Sequence, residues 1–216
     1  MKKTEVLQRI KETALLPVLR ASSVEEALAL AKAIEAGGIA ALEVTMTVPD
    51  AVEVIRSLVR QSGDRILIGA GTVLDPETAH ACILAGAQFI VSPALKLTTI
   101  ELCHRYGVAV IPGALTPTEV VTAWEAGADV VKVFPCSAMG GAKYLKSLKA
   151  PFPQIDLIPT GGVSLATAAE FLAAGAFALG VGADLVDPKA LADGKPEIIT
   201  QTAKQYVEII RRARLK

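Results

Sequence analysis

The chain of 216 residues carries 22 Lys and Arg residues against 22 Asp and Glu residues, so its formal net charge at pH 7 is zero. This balance provides no basic field for a nucleic acid or an anionic membrane, and we expect neither as a partner. Hydrophobic residues make up 52% of the chain but aromatic residues only 4%, which favours a core of many aliphatic side chains. The length predicts a single domain over residues 1–216.

Short apolar runs alternate with helix-like stretches along the chain. The alternation occurs eight times, at a spacing of roughly 20 to 25 residues. Near-continuous apolar strands are typical of a parallel sheet that is buried on both faces. The runs are residues 15–20, 40–46, 66–71, 89–94, 108–114, 130–135, 157–161 and 177–182.

Eight such units predict an α/β fold, a single (β/α)8 TIM barrel with an N-terminal helix over residues 1–13 and a last outer helix over residues 197–215. Between the first two runs, Ser23 can cap the start of a helix and Gly37 can end it. An open doubly wound sheet is the structural alternative. The similar lengths of the units, and the absence of fingerprint glycines after the first run, favour the barrel.

The cysteines and the N-terminal segment bear on the cellular compartment. Cys82, Cys103 and Cys136 lie far apart and form no CxxC pattern, so they predict neither a zinc site nor a disulfide framework. Residues 1–13 carry several charges and lack the apolar stretch of a secretory signal. No uncharged run approaches the roughly 18 residues of a membrane helix. We therefore expect a cytoplasmic protein.

A single charge interrupts the sixth apolar run. Strand alternation places Lys132 on the same face as Phe134 and opposite Val131 and Val133. Because β-branched side chains suit the face toward the helices, we expect Lys132 to point into the barrel. Partial removal from water favours the neutral form of an amine, which attacks carbonyl groups, so Lys132 is a Schiff-base candidate. A structural ion pair, or a lysine that reaches out to water, is the alternative.

The second run carries a carboxylate in the same manner. Glu43 and Thr45 share a face opposite Leu42 and Val44. Side chains of alternate strands share layers inside a barrel, so we expect Glu43 and Lys132 to meet across the core. Such a pair can move protons during acid and base catalysis, or its two charges can simply neutralise one another.

The ends of the other runs supply small and polar residues. Active sites of such barrels lie at the carboxyl ends of the strands. Small residues at positions 69–72, 92–93 and 112–113 are expected to leave volume for a ligand. Arg20 ends the first run and is either a clamp for a carboxylate or phosphate or part of an ion pair at the rim. No cluster of His, Cys or carboxylate residues has metal-ligand spacing, so we expect no metal.

Two glycine-rich turns follow the seventh and eighth runs. They read Pro159-Thr-Gly-Gly162 and Gly180-Val-Gly-Ala-Asp184. In this fold, turns after these two strands that lead into the N terminus of a helix commonly bind phosphate through backbone N–H groups. The two turns therefore predict a phosphate site.

Six segments spread over nearly the whole chain carry a resemblance to a known family. They are Leu42-Glu-Val-Thr-Met-Thr-Val-Pro-Asp50, Gly69-Ala-Gly-Thr-Val73, Val91-Ser-Pro93, Ile111-Pro-Gly113, Val131-Lys-Val-Phe-Pro135 and Pro159-Thr-Gly-Gly-Val163. Together they resemble the class I 2-keto-3-deoxy-6-phosphogluconate aldolases, also described as bifunctional with 4-hydroxy-2-oxoglutarate aldolase. The resemblance implies cleavage of 2-dehydro-3-deoxy-6-phosphogluconate to pyruvate and glyceraldehyde 3-phosphate by an enzyme that is usually a homotrimer. No organic cofactor or metal is implied.

The resemblance also implies roles for individual residues. Lys132 corresponds to the Schiff-base lysine and Glu43 to the general acid and base. The expected pocket for the 2-oxo acid substrate is lined by Thr72, Pro93 and Phe134, and the expected phosphate site by Thr160, Gly161, Gly162, Gly182 and Ala183.

Two positions depart from the best-known branch of the family. Thr47 stands where some members have an arginine, which shifts the binding of the substrate carboxylate toward Arg20, Thr72 and backbone groups. Ala183 stands where a serine commonly caps the phosphate turn. Both departures affect the identity of the substrate rather than the chemistry.

Three other functions remain open at this point. Within the family, the substrate can be the epimer 2-dehydro-3-deoxy-6-phosphogalactonate. A phosphosugar isomerase or epimerase would use the same phosphate turns, but it has no use for an interior lysine that forms an imine. A noncatalytic barrel that serves as an assembly subunit would have no need to retain both Lys132 and Glu43.

Overall fold

The computed structural model of the protein describes residues 1–215, in which parallel strands form a ring surrounded by helices. The strands are β1 (Leu15–Leu19), β2 (Ala41–Thr45), β3 (Leu67–Gly71), β4 (Phe89–Val91), β5 (Ala109–Ile111), β6 (Gly113–Ala114), β7 (Val131–Val133), β8 (Leu157–Pro159) and β9 (Leu179–Val181). The helices are α1 (Lys3–Thr13), α2 (Val24–Ala36), α3 (Ala51–Ser62), α4 (Pro76–Leu84), α5 (Leu97–Tyr106), α6 (Pro117–Glu125), α7 (Ala142–Lys149), α8 (Ala168–Ala173), α9 (Pro188–Ala192) and α10 (Pro196–Arg214), with a 3-10 turn at Cys136–Met139.

The fifth predicted strand, residues 108–114, is divided into β5 and β6 at Pro112. Proline has no N–H for the ladder, and the strand changes partner there, because β5 pairs with β4 whereas β6 pairs with β7. The Pro112 carbonyl still accepts the N–H of Lys132 at 2.9 Å. On the other side, a bridge between Thr160 and Gly180 joins β8 to β9. The ring therefore closes, which confirms the predicted (β/α)8 barrel.

Strand alternation sorts the buried side chains into two clusters. Val131 and Val133 of β7 and Leu42 and Val44 of β2 lie in the cluster between strands and helices, as predicted. A second cluster fills the interior of the ring, and its members on the strands or directly before them are Leu16, Ala41, Leu67, Phe89, Val91, Ala109, Ile111, Val130, Ile158 and Ala178. The interior is thus a packed core and not a channel.

Helix α1 closes the N-terminal end of the barrel. It corresponds to the N-terminal helix predicted over residues 1–13. Val6 and Ile10 are fully buried and belong to the interior cluster. Burying an isoleucine side chain contributes about 2 kcal/mol, so this contact fixes the helix firmly to the barrel. Lys3 adds an ion pair to Asp129, with Nζ 2.8 Å from Oδ1.

The outer helices begin and end where the sequence signals lie. Ser23 Oγ accepts the N–H of Glu26 at the start of α2, and Gly37 is the C-cap of that helix. The last helix, α10, packs closely on this end of α2, because a Cβ on Gly37 would lie 2.2 Å from the Cβ of Ala203. Between β9 and α10 lies the short helix α9, which the sequence did not predict. No helix within residues 1–215 is long and apolar enough to cross a membrane.

Gly69 of β3 faces the barrel interior beside Phe89. A Cβ built on Gly69 would lie 2.1 Å from Cε2 of Phe89 and 2.3 Å from the neighbouring ring atoms. The ring is fully buried and has no room to withdraw. The glycine therefore provides the space that the largest side chain of the interior occupies.

We predict that Gly69→Ala lowers the free energy of unfolding by about 2 kcal/mol, the usual effect of adding a methyl group to a packed core. Gly182→Ala is a matched control, because a Cβ there meets no atom within 4 Å. Urea unfolding followed by circular dichroism measures both variants. Equal stability of the two variants would contradict the packing of Phe89 over Gly69.

Candidate active site

Two charged side chains meet inside the barrel near the carboxyl ends of the strands. Lys132 lies at the middle of β7 and Glu43 at the middle of β2, and their exposed fractions are only 5% and 1%. The Nζ atom of Lys132 is 3.6 Å from Oε1 of Glu43. The structure thus brings the two residues together across the core, as strand alternation predicted.

The pair is held close without a hydrogen bond between its charges. The distance of 3.6 Å exceeds hydrogen-bond length, and Glu43 Oε1 has no hydrogen-bond partner within residues 1–215. Burial raises the pKa of the Glu43 carboxyl above its usual value, while the positive charges of Lys132 and Arg20 offset part of that rise. A carboxyl group with one oxygen free of hydrogen bonds, beside an amine, is suited to exchange a proton with a third group that contacts both.

The glycines of β3 serve the protein itself rather than a ligand. A Cβ on Gly71 would lie 2.6 Å from Oε1 of Glu43, so the carboxyl group occupies the space that a side chain would fill. Gly113 is similarly closed, since its Cβ would lie 2.3 Å from the carbonyl carbon of Pro93. At Gly69, Gly71 and Gly113 the expectation that small residues leave volume for a ligand is therefore wrong. Only their size was visible in the sequence, and what they contact was not.

The residues expected around the 2-oxo acid substrate lie at the ends of β3, β4 and β7. The ring centroid of Phe134 is 5.4 Å from Lys132 Nζ. Phe134, Pro93 and Thr72 are each half-buried, so part of every side chain faces the open end of the barrel. Thr72 has φ 57°, a left-handed conformation that is uncommon for a β-branched residue. Strain of about 1–3 kcal/mol of this kind concentrates at functional sites.

Arg20 and Thr47 differ in what they can offer a carboxylate. Thr45 Oγ1 donates its proton to the carbonyl of Leu19 at 3.0 Å and therefore accepts the proton of Thr47 Oγ1 at 2.7 Å. This arrangement uses the only donor of the Thr47 side chain. Arg20 is exposed at the end of β1 and forms no ion pair or side-chain hydrogen bond within residues 1–215. The guanidinium group of Arg20 thus remains available to bind a carboxylate. The sequence held no signal that Thr45 would accept the proton of Thr47.

The two glycine-rich turns lie side by side at the same end of the barrel. Gly161 and Gly162 have φ values of 90° and 78°, which only glycine adopts readily. In the turn after β9, Gly182 is half-buried and Ala183 is exposed. The N–H groups of Gly162, Gly182 and Ala183 donate no hydrogen bond within the described chain. Both turns therefore present backbone donors to the same region.

Neither turn leads directly into a helix, in contrast to the sequence-based expectation. After β8 the chain forms a hydrogen-bonded loop in which Ser164 N–H donates to Thr167 Oγ1, which in turn donates to the carbonyl of Gly162. Helix α8 begins only at Ala168 and helix α9 only at Pro188. The anion-binding potential of this region therefore comes from the loops and not from helix ends.

Comparison with known families supplies the class of enzyme. Residues 6–202 match the family model described as KDPG and KHG aldolase. The chain belongs to this aldolase family. It is therefore a carbon–carbon lyase, and the predicted resemblance to 2-keto-3-deoxy-6-phosphogluconate (KDPG) aldolases is confirmed.

Relatives of the KDPG and KHG aldolase family match almost the whole chain. The chain is 38% identical over 200 residues to the 2-dehydro-3-deoxy-6-phosphogalactonate aldolase of Escherichia coli strain K12. The match covers 92% of this chain and 95% of that aldolase. The chain is 36% identical over 192 residues to the KHG/KDPG aldolase of the same strain, covering 89% and 90%.

A solved structure of this family bears on the chemistry. It is the KDPG aldolase from Legionella pneumophila with pyruvate captured at low pH as a covalent carbinolamine intermediate. The two structures superpose with a TM-score of 0.85 at 32% identity, covering 92% of this chain and 96% of the other. A carbinolamine is the adduct that precedes a Schiff base, so that relative uses class I aldolase chemistry.

We predict that Gly71→Ala lowers kcat for aldol cleavage about tenfold or more, because the new methyl group displaces the Glu43 carboxyl from its place beside Lys132. The double variant Gly71→Ala/Glu43→Gln shows whether the effect acts through Glu43. We expect Glu43→Gln alone to slow turnover roughly a hundredfold. The double variant should be no slower than Glu43→Gln. Steady-state rates of pyruvate release measure all three. Losses that multiply in the double variant would contradict the displacement.

Proposed function

We propose that the protein cleaves 2-dehydro-3-deoxy-6-phosphogluconate to pyruvate and glyceraldehyde 3-phosphate through an imine on Lys132. We propose 4-hydroxy-2-oxoglutarate, which yields pyruvate and glyoxylate, as a second substrate. The observation that supports this most directly is a buried amine 3.6 Å from a carboxyl oxygen that has no hydrogen-bond partner within residues 1–215. The same chemistry needs no metal and no organic cofactor, since the iminium formed on Lys132 provides the electron sink.

The chemistry begins when the neutral amine of Lys132 attacks the C2 carbonyl and forms a carbinolamine. Glu43 donates a proton to the departing hydroxyl, so water leaves and an iminium forms. The carboxylate of Glu43 then takes the proton of the C4 hydroxyl. The C3–C4 bond breaks, its electron pair passes into the iminium, and glyceraldehyde 3-phosphate departs. Protonation of the resulting enamine at C3 and hydrolysis of the imine release pyruvate and restore Lys132.

The surrounding residues orient the substrate in this proposal. Phe134, Pro93 and Thr72 border the part that becomes pyruvate, where apolar contacts suit its methyl group. Arg20 binds the substrate carboxylate, because its guanidinium group has no competing ion pair among the described residues, whereas the Thr47 hydroxyl has already donated its proton. Thr47 then limits this end of the site by its size.

The phosphate group lies between the turns after β8 and β9 in this proposal. The N–H groups of Gly162, Gly182 and Ala183 are its donors, and the left-handed backbone of Gly161 and Gly162 aims the first turn. Thr160, which is buried at the end of β8, sets the base of the site. We propose that the phosphate is bound by backbone groups of these loops.

A second candidate substrate is 2-dehydro-3-deoxy-6-phosphogalactonate. The relative named for this reaction is 38% identical to the chain, against 36% for the KHG/KDPG aldolase of the same strain. The two sugar acids differ only in the configuration at C4, and the same Lys132 and Glu43 serve both. A coupled assay of pyruvate release with both epimers decides between them.

We also propose that the protein assembles as a homotrimer, as the family resemblance implies. Helices α4 and α5 pack against each other and expose the large side chains of Leu84, Leu97 and Tyr106. A neighbouring copy can cover this apolar surface. Light scattering in solution tests the assembly, since it distinguishes the mass of three chains from that of one.

The imine proposal makes a direct chemical prediction. Reduction by borohydride in the presence of pyruvate is expected to attach the pyruvate skeleton to Lys132 and to inactivate the enzyme. Peptide mass mapping identifies the labelled lysine, and Lys132→Arg is the control that should remain unlabelled. Labelling at the exposed lysines Lys96 or Lys143 instead would show that the carbonyl is captured elsewhere.

Ala183 makes a prediction about the phosphate. An added hydroxyl at this exposed position supplies one more donor to a charged group, which changes affinity by about 1.5–3 kcal/mol when the bond is well formed. Ala183→Ser is therefore expected to raise kcat/KM for the phosphorylated substrate about tenfold or more. The value for 4-hydroxy-2-oxoglutarate should stay nearly constant. Equal changes for both substrates would mean that Ala183 does not contact the phosphate.

A further inference from the structure

A buried tyrosine of the last helix reaches the turn after β9. Tyr206 of α10 is fully buried, and its hydroxyl donates to Oδ2 of Asp184 at 2.5 Å. Asp184 directly follows Ala183, whose N–H is one of the proposed phosphate donors. Burial raises the pKa of the Tyr206 hydroxyl above its usual value, and the hydrogen bond to Asp184 and its charge raise it further. The raised pKa keeps the hydroxyl protonated, so that it donates this hydrogen bond to Asp184.

The same carboxylate oxygen also holds the neighbouring loop. The N–H of Leu165, in the loop between β8 and α8, donates to Oδ2 of Asp184 at 3.2 Å. Oδ2 of Asp184 thus accepts one hydrogen bond from the loop after β8 and one from α10. Asp184 itself lies in the turn after β9. The strands below are joined by the bridge between Thr160 and Gly180 and by a hydrogen bond from the N–H of Phe177 to the carbonyl of Leu157 at 2.8 Å. Asp184 is therefore a polar link between the two loops above that bridge.

Each loop also contains hydrogen bonds between its own residues. Within the turn after β9, the N–H groups of Leu185 and Val186 donate to the carbonyl of Gly182 at 3.1 and 2.9 Å. Within the loop after β8, Thr167 Oγ1 donates to the carbonyl of Gly162 at 2.9 Å. Each loop is held by its own hydrogen bonds, and the link through Asp184 joins one loop to the other.

We infer that Asp184, held by Tyr206, is a positioning residue for phosphate specificity, which fixes the spacing of the N–H donors of Gly162 and Ala183 around one phosphate group. This inference rests on the proposed phosphate site and names two residues that act on it without touching the substrate. A tetrahedral anion is bound well only when donors on both sides lie at hydrogen-bond distance together. The two hydrogen bonds also keep the carboxylate of Asp184 turned toward α10 and away from the anion.

Removal of the tyrosine hydroxyl tests the link with little change in packing. We expect Tyr206→Phe to raise KM for 2-dehydro-3-deoxy-6-phosphogluconate about three- to tenfold, the usual effect of losing one such hydrogen bond. The inhibition constant of inorganic phosphate should rise by a similar factor. The KM for 4-hydroxy-2-oxoglutarate and both kcat values should stay within about twofold, because Lys132 and Glu43 are untouched.

Two substitutions of Asp184 separate geometry from charge. Asp184→Ala removes the acceptor and should reproduce the effect of Tyr206→Phe on phosphorylated substrate. Asp184→Asn keeps an oxygen for Tyr206 and Leu165 and removes the negative charge, so its KM for phosphorylated substrate should stay at or below that of the original protein. Rescue by asparagine but not by alanine identifies the hydrogen bonds as the cause.

Tyr144→Phe is the matched control for general loss of stability. Its hydroxyl donates to the carbonyl of Leu115 at 2.5 Å, so the variant also frees a loop from a helix, but on another part of the barrel. We expect it to lower Tm while leaving the ratio of the two KM values unchanged.

The outcomes are distinguishable. If the original protein prefers the phosphorylated substrate and Tyr206→Phe and Asp184→Ala keep that preference, or lower kcat/KM equally for both substrates, the positioning role is wrong and the proposed function stands. If the original protein shows no preference and inorganic phosphate does not inhibit it, the proposed phosphate site fails and this inference fails with it. Borohydride trapping on Lys132 tests the imine independently of either result.

Discussion

Lys132 and Glu43 bring two opposite charges into the interior of an apolar barrel, where removing each from water costs several kcal/mol. Placing them 3.6 Å apart offsets much of that, yet the distance leaves one carboxyl oxygen without a hydrogen bond. If Lys132 and Glu43 were joined by a hydrogen bond, the pair would be more stable, but no free carboxyl oxygen would remain to exchange a proton with a third group. The methyl-free position at Gly71 is what lets the carboxyl lie there at all.

The interior of the barrel changes character along its axis as a result. Toward the N-terminal end it is filled by aliphatic side chains and by Phe89, with Val6 and Ile10 of α1 as the lowest layer. Toward the carboxyl ends of the strands it carries the charged pair, and above that the loops with free backbone donors. The apolar half provides the stability that the polar half reduces. The strained backbone of Thr72 and the left-handed Gly161 and Gly162 lie above the charged pair, at the carboxyl ends of the strands.

The sequence predicted those features that depend on local periodicity. Alternation along β2 and β7 was enough to place Glu43 and Lys132 on the inner face, since a residue out of step with apolar neighbours is visible without a structure. Contacts between distant residues were not visible. The spaces over Gly69 and Gly71 depend on which side chain of a neighbouring strand fills them, and the change of partner at Pro112 depends on ring closure. The bond from Tyr206 to Asp184 joins residues on separate elements, and no pattern along the chain encodes it.

The helix that closes the N-terminal end of the barrel determines how molecules come and go. Because Val6 and Ile10 fill that end, a molecule that reacts with Lys132 enters and leaves at the other end of the barrel, among the loops. In an aldolase that works through this lysine, the three-carbon fragment bound covalently lies at the bottom, and the phosphorylated fragment lies between it and the exit. The products then leave in a fixed sequence, aldehyde first and pyruvate second. In the reverse direction pyruvate has to bind before the aldehyde. The closed N-terminal end of the barrel thus contributes to the order of binding, in addition to the imine.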